Sequence, residues 1–217
     1  MRAAHPSRRR LQKSEKPDML NKTFCGNGEG TLEKKELIAL VDLEYWKEKA
    51  LECGFSHVGE LDVDTIKLRK EARDACAENK CRNYGKNWSC PPGCGTLEEC
   101  DAKIRKYKRG LLVQTTGEID SLDFDGFMEL GKNHGTAMKK FAELVRAEIP
   151  GAMVMGASAC MGCAKCTYPD APCRFPEKLS HPMEGLGMIV SDVCKANGVK
   201  YYYGPGTLTY TGCVLTD

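Results

Sequence analysis

Residues 160–178 read CMGCAKCTYPDAPCRFPEK and set four cysteines, Cys160, Cys163, Cys166 and Cys173, at C-x2-C-x2-C-x6-C spacing. Thiols this dense serve disulfides, a zinc ion or an iron–sulfur cluster. Each short C-x2-C turn carries the next sulfur to a new corner of an object several ångströms across, and a cubane offers such corners. A structural zinc ion usually draws paired knuckles from two separate segments, whereas bacterial ferredoxins use C-x2-C-x2-C and a further cysteine. The spacing therefore predicts a [4Fe–4S] cluster here, with zinc as the alternative. Cys173 departs from the ferredoxin run by x6 in place of x3, and Arg174 stands where that run has proline. Cys160, Cys163 and Cys166 are thus the fixed part of the set.

A second group lies upstream. Cys76, Cys81, Cys90, Cys94 and Cys100 are spaced C-x4-C-x8-C-x3-C-x5-C, five thiols for four places. The spacing does not match the C-x3-C-x2-C run of radical S-adenosylmethionine enzymes. Cys76, Cys81, Cys90 and Cys94 are the expected quartet for a second metal centre, with Cys100 as the substitute. Thr96 and Glu99 form a T-x-x-E capping box, so Cys94 precedes a helix start whose positive end favours anionic thiolates. Cys100 falls inside that helix, and Cys76 lies on the apolar face of the helix before it. Buried thiols without a metal are the alternative for this group.

The rest of the composition narrows the setting. Thirteen cysteines in 217 residues, an odd count with no apolar signal segment, point away from a secreted disulfide scaffold and toward a reducing cytoplasm. A net charge of +2 gives no global reason to expect nucleic acid as a partner. No apolar run reaches the ~18 residues of a membrane span, so no membrane association is expected. A redox protein would instead meet a partner protein.

These loops need elements to hold them. Residues 1–30 read as a disordered basic tail, followed by a single cysteine-rich metal-binding domain over 31–217. Thr31 starts a helix with Leu37, Leu40, Val41, Tyr45 and Ala50 on its apolar face, ended by Gly54. FSHVGEL (55–61) reads as a strand, and a helix follows over about 64–78. The capped helix runs from Thr96 to about Arg109 with Gly110 as its stop. LLVQTT (111–116) and AMVMGAS (152–158) are strands joined by a helix over about 133–148, which suggests a parallel pair with a right-handed crossover. The 160–173 loop then lies beyond a strand's carboxyl end, where open α/β sheets place their sites. A helix over about 182–197 leads to a terminal hairpin turned at Gly204–Pro205–Gly206. The expected fold class is α/β (or α+β): a small mixed sheet with a βαβ unit, flanking helices and two cysteine-rich loops.

The remaining candidates carry less chemistry. Cys25 is a bystander in a Gly-rich linker, and Cys53, Cys194 and Cys213 read as packing thiols. His57, His134 and His181 stand alone in the sequence without metal-ligand spacing. KIRKYKR (103–109) suits a helix C-terminus. Arg82, Lys86, Lys165 and Arg174 flank the cysteine loops and could offset the negative charge of a reduced cluster.

CRNYGKNWSCPPGCG (81–95), the 160–178 run and YYYGPGTLTYTGC (201–213) resemble a family of predicted metal-binding proteins, domain of unknown function 2284, over about residue 34 to the end. The resemblance implies metal binding and no assigned reaction. It marks Cys81, Cys90, Cys160, Cys163, Cys166 and Cys173 as ligand candidates, framed by Tyr84, Gly85, Trp88, Pro91 and Pro92. LECGFSHVGEL (51–61) is also similar to the start of epoxyqueuosine reductase, a corrinoid iron–sulfur enzyme. Three readings follow: an electron carrier with one or two [4Fe–4S] clusters, a zinc-stabilised module that binds protein or nucleic acid, and an iron–sulfur oxidoreductase, with or without a corrinoid.

Overall fold

Alternation of apolar side chains on strands buried from both sides builds the centre of the protein. The structure is a computed structural model and describes residues 43–120 and 123–217. Its strands are β1 (His57–Asp62), β2 (Arg109–Glu118), β3 (Met153–Gly156), β4 (His181–Pro182) and β5 (Thr207–Thr216), in the spatial order β1-β2-β5-β3-β4. Helix α1 spans residues 43–53 of the described chain. It is followed by α2 (Lys70–Ala77), α3 (Leu97–Ile104), α4 (Phe124–Glu148) and α5 (Val190–Ala196). The fold is mixed α/β, as the sequence predicts. The expected tail, Cys25 and the first residues of the opening helix lie outside the described residues.

Successive residues of β2 feed opposite cores, as a period of two requires. Leu111 and Val113 join Trp46, Phe141, Val145 and Val214 on one face, under α1 and α4. Leu112 joins Ile104, Met155, Val193, Cys213 and Leu215 on the other, under α3 and α5. Helix α1 buries Trp46, Ala50 and Cys53 at helical spacing, while Tyr45 stays at the surface and donates from its hydroxyl to Glu148 at 3.2 Å.

Several boundaries differ from expectation for identifiable reasons. The two strands flanking α4 are not neighbours. β5 lies between β2 and β3, antiparallel to both, in register with β2 along all ten residues from Arg109↔Thr216 to Glu118↔Thr207. β2 and β3 therefore run in the same direction as a split crossover, and the parallel contact of the sheet is β3 with β4. No terminal hairpin forms. Residues 199–206 are pinned to the sheet by side chains instead: Tyr203 Oη donates to Gln114 Oε1 at 2.8 Å, and Gln114 Nε2 donates to the Lys200 carbonyl at 2.9 Å.

Gly110 is a strand residue, not a helix stop: a Cβ there would fall on the Val214 carbonyl oxygen of β5. Helix α3 ends at Ile104, so the basic run straddles its end and the start of β2, and Arg105 reaches the Val63 and Ile66 carbonyls at 2.7 and 2.6 Å. Helix α2 starts six residues later than expected, because the Arg69 N–H is taken by the Gly187 carbonyl at 2.7 Å and Leu68 bridges to Met188. Helix α4 begins earlier, at Phe124, capped by the Asp123 carboxylate on the Gly126 N–H. The expected 182–197 helix is confined to α5, after a 3-10 turn (Glu184–Leu186) that Gly187 ends with a φ of 101°.

His134 gives this core a pH dependence. It is 3% exposed, its Nδ1 lies 3.0 Å from Thr115 Oγ1, and its Nε2 has no hydrogen-bond partner among the described residues. Burial lowers its pKa from 6.5 to about 4. The unfolded chain takes up the proton first as pH falls, so stability is full above about 6.5 and declines toward 4, by up to about 3 kcal/mol. His134→Gln is expected to flatten that part of the curve. Urea unfolding of both proteins at pH 7 and 4.5 checks this; an equal loss in both contradicts the assignment.

Candidate metal centre

The first cysteine loop leaves α2 through two backbone bends. Asn79 and Arg82 have φ of 55° and 61°, a left-handed conformation that is uncommon for residues other than glycine, and they bracket Cys81. The Asn79 side chain accepts from the Tyr84 N–H at 3.1 Å, and the Gly85 N–H donates to the Pro91 carbonyl at 2.8 Å. The chain thereby folds back and sets the Cys81 segment beside Cys90. Buried Asn87 fixes the next turn: its Oδ1 accepts from the Ser89 N–H, the Ser89 hydroxyl and the Cys90 N–H at 3.1, 2.7 and 2.9 Å.

Cys76, Cys81 and Cys90 lie within electrostatic reach of one another. Burial pushes the Cys76 thiol up, and Cys90, Glu184 and Cys81 add to it. Burial also raises Cys90, against hydrogen bonds from Ser89 and Asn87.

Cys94 is within electrostatic reach of Cys90 and packs against Cys100. It is 1% exposed, and the fully buried Cys100 lies beside it. Arg73, on α2, places Nη1 3.1 Å from Cys94 Sγ and 2.7 Å from the Gly185 carbonyl, while its Nη2 donates to the Gly95 carbonyl at 2.5 Å. Cys94 Sγ also lies 3.3 Å from the Gly185 carbonyl oxygen. The hydrogen bond with Cys100 and then the Arg73 guanidinium hold the Cys94 thiol below its ordinary pKa, against burial. The α3 N-terminus is closed by its own side chains, with Thr96 Oγ1 accepting from the Glu99 N–H and Glu99 Oε2 from the Thr96 N–H.

The second loop leaves the carboxyl end of β3, and the first loop is docked against it. The Cys160 N–H donates to Ser89 Oγ at 2.9 Å. His181 Nδ1, in β4, lies 3.0 Å from the Ser89 carbonyl, which can only accept, so that nitrogen carries the proton. Trp88 Nε1–H donates to the Ala171 carbonyl at 3.0 Å, and its ring meets Tyr168 edge-on at 4.9 Å between centroids. A Cβ at Gly93 would strike the Asn87 carbonyl and come within 3.0 Å of the Tyr168 ring, which shows how closely the two loops approach. Inside the second loop, the Gly162 N–H faces Cys160 Sγ at 3.4 Å, Thr167 Oγ1 donates to the Pro172 carbonyl, and Arg174 Nη1 donates to the Lys165 carbonyl. Cys160, Cys163, Cys166 and Cys173 are all half-buried.

Among the described residues, no three His, Cys, Asp or Glu side chains converge tightly enough to hold a single metal ion. The donor set is nonetheless rich in thiols: Cys76, Cys81, Cys90 and Cys94, with Cys100 beside Cys94, and the four of the second loop. Soft thiolates suit zinc and iron–sulfur clusters over hard cations, so these residues fit such a group. All the described cysteines are free thiols. Cys53, Cys194 and Cys213 are buried in the cores, and burial raises the Cys194 thiol to about 11. Asn87, Ser89 and Arg73 were not among the residues singled out from sequence, and His181 reads there only as an isolated histidine without metal-ligand spacing. Their roles come from contacts across 21 to 112 positions, and only the Asn-x-Ser spacing of the turn is local.

Residues 59–216 match the family described as "Predicted metal-binding protein (DUF2284)". The match covers most of the chain, which belongs to this family. No curated protein and no solved structure matches the chain.

Ser89→Ala removes the acceptor of the Cys160 N–H and a donor to Asn87 in a buried setting. It is expected to cost about 1–3 kcal/mol and to speed amide exchange across residues 157–173. Denaturant unfolding with hydrogen exchange by mass spectrometry checks both; unchanged exchange in that segment contradicts the docking of the loops.

Proposed function

We propose that this member of the predicted metal-binding family is an iron–sulfur protein that carries single electrons between protein partners. One [4Fe–4S] cluster would be held by Cys160, Cys163, Cys166 and Cys173, and a second centre by thiols of the 76–94 segment. The observation that supports this most is the 160–173 loop: four half-buried thiols at cluster spacing, beyond a strand end, in a loop anchored by Ser89 and Trp88. When bound, such a cluster supplies one-electron chemistry.

The chain's own part is to position, shield and compensate. The half-buried Trp88–Tyr168 pair packs across the junction between the loops. Half-exposure of the four cysteines keeps the path to a partner protein short. Arg146 reaches the same region from α4: its Nη2 donates to the Leu179 carbonyl at 3.2 Å, its buried Nε has no partner among the described residues, and Cys160 lies within its electrostatic reach. With Lys165 and Arg174 on the loop, it would offset the extra negative charge of the reduced state and so raise the potential. Thirteen cysteines, an odd count, favour a reducing, cytoplasmic setting over a disulfide scaffold. No helix among the described residues is long and apolar enough to cross a membrane.

A reductive titration of anaerobically prepared protein tests the reading. Visible absorption is expected to bleach with one electron per cluster and to give a paramagnetic resonance signal, and Cys163→Ser is expected to remove at least one cluster's share of both. A colourless protein that holds zinc and takes up no electrons contradicts it and favours a zinc-stabilised module.

A further inference from the structure

Two of the buried thiols share one cation. Arg73 Nη1 lies 3.1 Å from Cys94 Sγ and 3.8 Å from Cys100 Sγ, so a single guanidinium nitrogen reaches both sulfurs. Cys100 Sγ also lies 3.6 Å from the carbonyl oxygen of Cys94 itself. One tight turn brings the two residues together: Gly95 bends the chain with a φ of 101°, Thr96 caps α3, and Cys100 follows inside that helix. A second cation stands close, with Lys103 Nζ donating to the Cys94 carbonyl at 2.8 Å. Cys194 has a different setting, its Sγ 3.7 Å from the neutral Gln114 amide, and Cys213 is packed in the apolar core. Thiols buried among apolar groups are inert, whereas a neighbouring Arg or Lys favours the nucleophilic thiolate.

We infer that Cys94 and Cys100 form a redox-active dithiol, with Cys94 as the attacking thiol, Cys100 as the resolving thiol and a small disulfide of the glutathione type as the oxidant. Cys94 Sγ attacks one sulfur of that disulfide, its S–S bond breaks, a mixed disulfide forms at Cys94 and one small thiolate leaves. Cys100 Sγ then attacks Cys94 Sγ, forms the Cys94–Cys100 bond and expels the second small thiolate. The Cys100 proton passes to a leaving thiolate, and two electrons have moved from the pair to the small disulfide. Cys94 is 1% exposed, but Arg73 and Gly95 beside it are both half-buried, so the oxidant enters where Arg73 swings outward. Arg73 also donates to the Gly95 and Gly185 carbonyls at 2.5 and 2.7 Å. Oxidation takes away the thiolate that it pairs with and loosens the tie between the start of α3 and the 184–186 turn. Cys90 is within electrostatic reach of Cys94, yet its own sulfur faces the Ser89 hydroxyl at 3.8 Å. The couple withdraws Cys94 from the quartet expected by spacing. It needs no metal, so it stands or falls apart from the iron–sulfur reading.

Anaerobic equilibration of the full chain, as purified, with stepped ratios of reduced and oxidised glutathione tests the couple. Free thiols are blocked in acid, and cleavage after Glu98 and Glu99 separates the two cysteines for mass spectrometry. A Cys94–Cys100 linkage is expected at ratios where Cys194 and Cys213 remain thiols. Cys100→Ser is expected to hold one glutathione on Cys94, and Cys94→Ser to hold none on Cys100. If Cys94→Ser fails to fold by circular dichroism, the wild type and Cys100→Ser decide the matter. A Cys90–Cys94 linkage, glutathione arriving first on Cys100, or no linkage until Cys194 and Cys213 also oxidise overturns the assignment. So does a loss of iron or zinc per chain in Cys94→Ser that Cys100→Ser does not share, because it gives Cys94 to the metal. An absence of iron and sulfide from the same sample, with the linkage intact, removes the iron–sulfur reading and leaves the couple standing.

Discussion

Ser89 bonds in three directions at once, and the relation between the two cysteine loops depends on it. Its hydroxyl accepts from the Cys160 N–H and donates to Asn87, while its carbonyl receives the His181 imidazole. The residue is fully buried, so each of these bonds replaces water that is not there. A satisfied buried bond contributes about 1 kcal/mol, and an orphaned partner costs more than that. Serine fits because it both donates and accepts through one oxygen. Cys90 is the next residue, so the first loop's buried thiol and the second loop's first thiol are separated by one peptide and one hydrogen bond. Two stretches 71 positions apart thereby become a single assembly.

The sheet explains why this node can exist. β3 delivers Cys160 and β4 delivers His181, side by side and in the same direction. β5 holds β3 in place from its other edge, with Met153 opposite Leu215 and Met155 opposite Cys213. On the opposite side of the first loop, Arg73 gathers Gly95, Gly185 and Cys94. The loop is thus held at both ends by buried polar contacts, and Cys81 between them remains exposed. Rigid ends with an exposed middle suit a site that must hold a metal and still be reached.

Much of this was legible in the chain itself. The capping box at Thr96 and Glu99, the strand at 57–62, the apolar run of β2 and the C-x2-C-x2-C spacing are local signals, and local physics produces them. The order of the strands is not local. β5 inserts between β2 and β3 because ten residues of it match β2 in register, which no period or cap announces. Gly110 reads as a helix stop and is a strand glycine, since the Val214 carbonyl that excludes a Cβ lies 104 positions away. The same holds at the site. The cysteines are visible by spacing, but the burial of Cys94 beside Arg73 and Cys100 is not. Asn87, Ser89 and His181 have ordinary side chains whose importance arises from where the fold brings them.

On the proposed function, both loops hold iron–sulfur clusters in one assembly. Iron, acid-labile sulfide and zinc per chain, measured on a single anaerobically purified sample, test it most directly. Two cubane centres predict about eight irons with matching sulfide and negligible zinc. One or two zinc ions per chain with no sulfide would contradict the account, and would make the welded loops a structural metal module.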